Sequence, residues 1–258
     1  MPTKPRRKKS LHTRQHPIRV VPLHLPEAPA AVAAAAPHLT YRNGPLLTTV
    51  QVFTVFWGSA WQQASNNDLL KRINQFFDDI LTSQLIDQLA EYSVPGQTIG
   101  HGSRIGTAVL TSTDPGASVQ DIDIQKLLQR EIDSGTLPAT KPTSLYFVFL
   151  PDGVQVVQGS SASCQSFCGY HDSFGNNVYY AVMPYPGCSG CTGGLAVFDA
   201  ITSTTSHELC ESITDPIPGQ GWYDDKNGEI GDICAWKTRK LGNYTIQLEW
   251  SNHVGSCI

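Results

Sequence analysis

Between Thr48 and Trp57 the chain runs Thr-Thr-Val-Gln-Val-Phe-Thr-Val-Phe-Trp. This stretch is β-branched and aromatic, too short and too poorly capped for a helix, and it predicts a strand. The period then changes. Asn67-Asp68 can cap a helix in which Leu69, Ile73, Phe76, Phe77, Ile80 and Leu81 recur at helical spacing, until Pro95-Gly96. Strand composition returns over Arg104–Ser112. Ser118 followed by Asp121 resembles a capping box. Ile122, Ile124, Leu127, Leu128 and Ile132 then give a second amphipathic helix ending at Gly135. Leu145–Leu150 is an unbroken apolar run bounded by Pro142 and Pro151, the pattern of a strand buried on both faces.

The second half reads differently. Residues 158–176 and 184–194 are Gly-, Ser- and Cys-rich and predict loops, with a strand at Asn177–Met183 between them. Leu195–Ile213 predicts a helix that ends before Pro216, and Tyr244–Trp250 alternates as a half-exposed strand. The order predicts a layered α/β domain: a mixed sheet, two amphipathic helices, a third helix that carries a chemical motif, and a Cys/Gly-rich loop half. There is no internal repeat. Residues 1–38 lack any period and are rich in Pro, Ala and basic residues. They read as a disordered basic tail ahead of a single domain over 39–258.

Charge supports that division. Residues 1–26 hold seven Lys or Arg and no acid, whereas residues 27–258 hold eleven against 22 Asp or Glu, a balance of −11. A basic tail without a basic recognition element in the acidic remainder argues against nucleic-acid binding. Ala28–Ala36 is weakly apolar, contains Pro29 and lies far from the basic run, so the N-terminus is not a clean signal peptide. No stretch is long and apolar enough for a membrane span. Nothing in the pattern sets an oligomeric state.

The chemistry concentrates at residues 207–232. On the third helix His207 and Glu211, four residues apart, share a face and can present an imidazole and a carboxylate to one ion. Glu208, rotated by about 100°, can reach a water on that ion and act as general base. This is the logic of H-E-x-x-H with Glu in place of the second His. Zinc accepts such a donor set; the added negative charge also suits manganese or calcium. Downstream acids are Asp215, Asp224, Asp225, Glu229 and Asp232. Glu229 is the favoured third ligand, with Asp232 either the ligand itself or a partner of His207. A solvated, charged helix face would also explain a bare His-Glu-x-x-Glu.

All seven cysteines lie in the last 95 residues. Cys164-x3-Cys168 with Cys188-x2-Cys191 suits either a four-cysteine zinc site or two local disulfides. His171 is expected as a structural hydrogen-bonder rather than a ligand.

Together these motifs resemble the plant phosphate-induced (EXORDIUM-like) secreted proteins and their bacterial relatives. Cys164-Gln-Ser-Phe-Cys168-Gly169-Tyr170-His171 looks like their C-x3-C-G-x-H element. Pro186-Gly187-Cys188-Ser189-Gly190-Cys191 is similar to their C-P-G-x-C segment with Pro and Gly placed differently. Leu39–Leu47 resembles their opening, Ser206-His207-Glu208-Leu209 with Glu211 and Thr214-Asp215-Pro216 their S-H-E-L stretch, Glu229–Cys234 their E-I-A-D-L-C, and Trp250-Ser251-Asn252 with Cys257 the ending of bacterial relatives. The resemblance spans residues 39–258 and implies an extracytoplasmic protein, hence disulfides rather than a zinc site at the four cysteines. Count and order then pair Cys164 with Cys168, Cys188 with Cys191 and Cys234 with Cys257. Cys210 is left as a buried thiol.

The expectation is a zincin-like metallopeptidase acting on peptide or protein substrates. His207, Glu211 and Glu229 or Asp232 hold zinc, Glu208 is the catalytic base, and the strand Val178–Met183 is the sheet edge that pairs with substrate. The alternative is a non-catalytic secreted binding or signalling module whose acids hold a structural ion or none. An open coordination position in a cleft would mark the enzyme, and a closed one the structural site.

Overall fold

The computed structural model describes residues 20–24 and 36–258. A six-stranded mixed sheet contains β1 (Val20–Pro22), β2 (Gln51–Trp57), β3 (Ser103–Leu110), β4 (Ser144–Phe149), β5 (Phe167–Phe174) and β6 (Val178–Met183) in the order β1-β5-β6-β4-β2-β3. Strands β3, β2, β4 and β6 run parallel, β5 runs against β6, and β1 runs against β5.

The period of two along each strand sorts side chains between the two faces. Leu145, Phe147 and Phe149 face helices α1 (Ala64–Ile80) and α3 (Val197–Thr214), while Tyr146, Val148 and Leu150 face helix α2 (Asp121–Asp133). Helix α1 contributes Leu70, Ile73, Phe76, Phe77 and Ile80, with Phe77 tilted over Phe147 at 4.8 Å between ring centroids. Helix α2 contributes Ile124, Leu127 and Leu128, whereas Ile122 faces solvent. The fold is therefore mixed α/β in three layers. No helix among the described residues is long and apolar enough to cross a membrane.

Several expectations change. The helix expected to run to Pro95 stops at Ile80. A second short helix, Gln84–Gln88, follows, with the Ser83 hydroxyl accepting from Leu85 N. At α2 the cap lies two residues later than expected: Asp123 accepts from Gln120 N. The loop expected over 158–176 contains all of β5. Strand β6 is not an edge, because it is paired on both sides, by β4 and β5. Of the tail expected over 1–38, residues 1–19 and 25–35 lie outside the described residues. Val20–Pro22 are a strand of the sheet.

Three disulfides connect Cys164 to Cys188, Cys168 to Cys191, and Cys234 to Cys257, and Cys210 is free and buried. The last pairing and the free thiol are as expected. The first two cross rather than closing local loops: because Cys168 lies on β5 and Cys164 just ahead of it, both bridges tie that strand to the Gly-rich segment before α3. Closing loops of about 23 residues each stabilises by about 3 kcal/mol in the chain-entropy account.

Candidate metal centre

Helix α3 is buried from Ala200 to Thr214. Its first half, Thr202-Ser-Thr-Thr-Ser206, consists of small side chains, which lets β5 and β6 approach on one side and the hairpin β7 (Thr238–Leu241) and β8 (Tyr244–Gln247) on the other. Two hydroxyls of this run bind backbone: Thr202 donates to Thr245 O at 2.7 Å, and Ser206 donates to Ser203 O while accepting from Gln247 N; the buried Thr205 hydroxyl has no hydrogen-bond partner. The approach of β5 requires Gly169, since a Cβ there would lie 2.8 Å from Thr204 Cγ2 and 3.3 Å from Glu208 Oε1. Gly169 and His171, two apart on the strand, point to the same face, so His171 meets the helix beside Glu208.

Helix α3 ends at Asp215, ahead of Pro216. The Asp215 carboxylate accepts from the backbone N–H groups of Gly219, Gln220 and Gly221, folding the following loop back. The chain then returns with Glu229 and Asp232. Gln247 Nε2 donates to Gly231 O at 2.9 Å, Trp250 N donates to Ile230 O, and the Cys234–Cys257 bridge holds the far side.

These elements place His171, His207, Glu208, Glu211 and Glu229 together, each at most 1% exposed. Three donor atoms from His207, Glu211 and Asp232 lie within 4.8 Å of one another, and so do three from His171, Glu211 and Glu229. His207 Nε2 is 2.9 Å from Glu211 Oε1 and 4.0 Å from Asp232 Oδ1. Asp232 N donates to Glu211 Oε1 at 3.1 Å, and Asp232 Oδ2 accepts from Glu229 N. On the other side His171 Nδ1 is 3.1 Å from Glu208 Oε2 and 3.5 Å from Glu211 Oε2, and its Nε2 is 3.4 Å from Glu229 Oε1.

Many of these contacts lack hydrogen-bond geometry. Both ring nitrogens of His207, Glu208 Oε1, Glu211 Oε2, both Glu229 oxygens and Asp232 Oδ1 are buried without a hydrogen-bond partner. Isolated buried polar atoms of this kind are costly, and their convergence is what a cation would relieve.

Without an ion the electrostatics are strained. Burial pushes the Glu229 and Asp232 carboxyls well above the usual range, with Glu211 adding to both. Burial also raises Glu208 against the opposing effect of His171. Glu211 is the exception: burial opposes its charge, but His207 and His171 outweigh it and hold the carboxyl at about 2. Burial alone would lower both imidazoles, yet the surrounding carboxylates raise His207 and His171 well above the usual value.

The expected site residues therefore meet, with a changed allotment. Asp232 joins His207 and Glu211, while Glu229 joins His171. His171 was expected to be structural; it does hydrogen-bond Asp215 O at 3.1 Å, but it also supplies one donor group of the cluster. Asp224 and Asp225 take no part. Asp224 caps its own turn by accepting from Lys226 N and Asn227 N, and exposed Asp225 pairs with Arg42. Glu249, fully buried beside the Cys210 thiol, was not foreseen. No protein-family model matches the chain, and no curated protein matches it either.

Proposed function

We propose that the protein is a metal-dependent hydrolase, of the zincin-like metallopeptidase kind, working in an oxidising extracytoplasmic compartment. The observation that carries the reading is the convergence of unpartnered, buried His207, Glu211 and Asp232 donors beside Glu208. Two carboxylates and an imidazole fit zinc, and the oxygen-rich set also accommodates manganese or calcium. Bound there, the ion would supply Lewis acidity, polarising a carbonyl and acidifying water. Glu208 supplies the base: its Oε1 is buried and free of hydrogen bonds, and it follows His207 directly on α3, so it can take a proton from water and return it to a leaving amine. Three disulfides support the extracytoplasmic assignment.

A second reading, a secreted binding module with a structural ion, is favoured by one observation: no donor side chain is more than 5% exposed. Hydrolysis requires this enclosure to open. Metal analysis of the purified chain beside a peptide-cleavage screen separates the readings. For the hydrolase, Glu208→Gln retains the ion and lowers cleavage by about two or more powers of ten. An ion-loaded protein that cleaves nothing across a diverse peptide library would leave the structural reading standing.

A further inference from the structure

We propose that the cluster holds two divalent cations, bridged by the carboxylate of Glu211; this rests on the metal-centre reading above and extends it. The donors form two triads, His207–Glu211–Asp232 and His171–Glu211–Glu229, that have only Glu211 in common. Its two oxygens are divided between them. Oε1 lies 2.9 Å from His207 Nε2 and accepts from Asp232 N, while Oε2 lies 3.5 Å from His171 Nδ1 and has no hydrogen bond. A carboxylate whose two oxygens face two separate donor groups is the geometry of a bridging ligand.

Each side also carries its own unsatisfied atoms. On the first they are the His207 ring nitrogens and Asp232 Oδ1; on the second they are both oxygens of Glu229. A single ion on the first side would leave Glu229 fully buried with neither oxygen hydrogen-bonded. Asp215 lies beside Glu229 but belongs to neither triad, and its carboxylate already accepts from three backbone N–H groups. Glu249 lies outside both triads, against the Cys210 thiol.

Charge points the same way. Glu208, Glu211, Glu229 and Asp232 carry four negative charges when ionised and their imidazole neighbours are neutral when ligating. Among the described buried residues there is no Lys or Arg to offset them. One divalent ion offsets two of these four charges and two ions offset all four, while Glu249, fully buried within reach of His207, Glu211 and Asp232, adds to the excess. One imidazole and two carboxylates on each side suit zinc or manganese.

The test is ion stoichiometry in the full chain, stripped with chelator and reloaded with manganese or zinc by equilibrium dialysis. The parent is expected to bind two ions. His171→Ala and Glu229→Gln should each retain one, as should His207→Ala, and Glu211→Gln should weaken both. One ion in the parent, unaffected by His171→Ala and Glu229→Gln, overturns the second site and leaves the single-ion reading intact; no ion at all overturns both. Where a variant does not fold, electron paramagnetic resonance of the manganese-loaded parent decides. An exchange-coupled pair supports the bridge, and the hyperfine pattern of isolated ions refutes it.

Discussion

Replacing Gly231 with alanine probes the centre without removing a donor. Gly231 lies at φ −79°, ψ −39°, a right-handed helical conformation open to any residue. Glycine is required here by space. An alanine Cβ would stand 2.8 Å from His207 Cγ and Nδ1 and 2.9 Å from Glu211 Oε1. The loop cannot retreat freely, since Gly231 O accepts from Gln247 and Ile230 O from Trp250 N. Overpacking of this sort costs about 1–3 kcal/mol, offset by about 0.4–1 kcal/mol from the stiffer unfolded chain. The net is about 1–2 kcal/mol, a fall in Tm of roughly 2–8 °C for a domain of this size. Because the displaced atoms are donors, ion affinity should fall at least about tenfold. Gly242→Ala is the control: φ is +58° with open space around it, so it strains the backbone but leaves the site alone. Calorimetric titration with manganese or zinc, beside thermal melts, reads both. Unchanged affinity in Gly231→Ala would refute an ion held between His207 and Glu211.

Removing the Cys234–Cys257 bridge by paired Ser substitution should cost about 2–5 kcal/mol and weaken ion binding with it, because the bridge holds the Glu229–Asp232 loop; equal affinity in the folded variant would show the loop is fixed by other contacts. The site should make the ion-free protein lose stability as pH rises. Glu229 and Asp232, raised by burial, oppose folding increasingly above their unfolded values near about 4, and the stabilisation from the raised His171 and His207 is full below about 6.5 and lost as pH climbs through their folded values. Glu211, held at about 2, acts in the other direction, its contribution being full above about 4.5 and lost as pH falls towards about 2. Melts in chelator at about pH 5 and about pH 8 should differ accordingly, and saturating ion should shrink the difference; a higher melting point at pH 8 in chelator contradicts the scheme. Cys210, fully buried and with its thiol pushed well up by burial and then by Glu249, should resist alkylation in the native protein and react on unfolding. Rapid native labelling would show that α3 is less enclosed than described.

Local patterns conveyed most of the layers. The unbroken apolar run at Leu145–Leu150 reads as a doubly covered strand, and β4 is paired on both sides. The helical spacing gives Ile73, Phe76, Phe77 and Ile80 of the buried face of α1, although Leu70 rather than Leu69 is its first buried leucine and Leu81 falls just past the helix end. Position within the sheet was less visible, because Val178–Met183 looks the same whether it is central or at an edge. The site was legible where donors share a helix or a tight loop, as with His207, Glu208, Glu211 and Asp232. His171 was obscured because Gly-, Ser- and Cys-rich composition suggests a loop, whereas two disulfides and pairing with β1 and β6 make β5 a strand. The Gly169-x-His171 spacing held the clue: alternate residues share a strand face, and the glycine marks a close approach. The crossed cysteine pairing depended on the same unseen strand.

Strand β1 lies along β5 beside the centre, with Val21 opposite Gly169 and Pro22 O accepting from Trp236 Nε1. The hydrogen-bonding edge of β5 over Phe167–Tyr170 is thus taken by the chain's own residues. Because β1 is covalently tethered through residues 25–35, it is presented to that edge at an effective concentration of about millimolar order. A peptide in solution that adds to β5 competes with this local excess, so one present at micromolar concentration is discounted about a thousandfold. Cutting the chain between residues 24 and 36 would leave every group of the centre in place while turning a permanent competitor into one that can diffuse away.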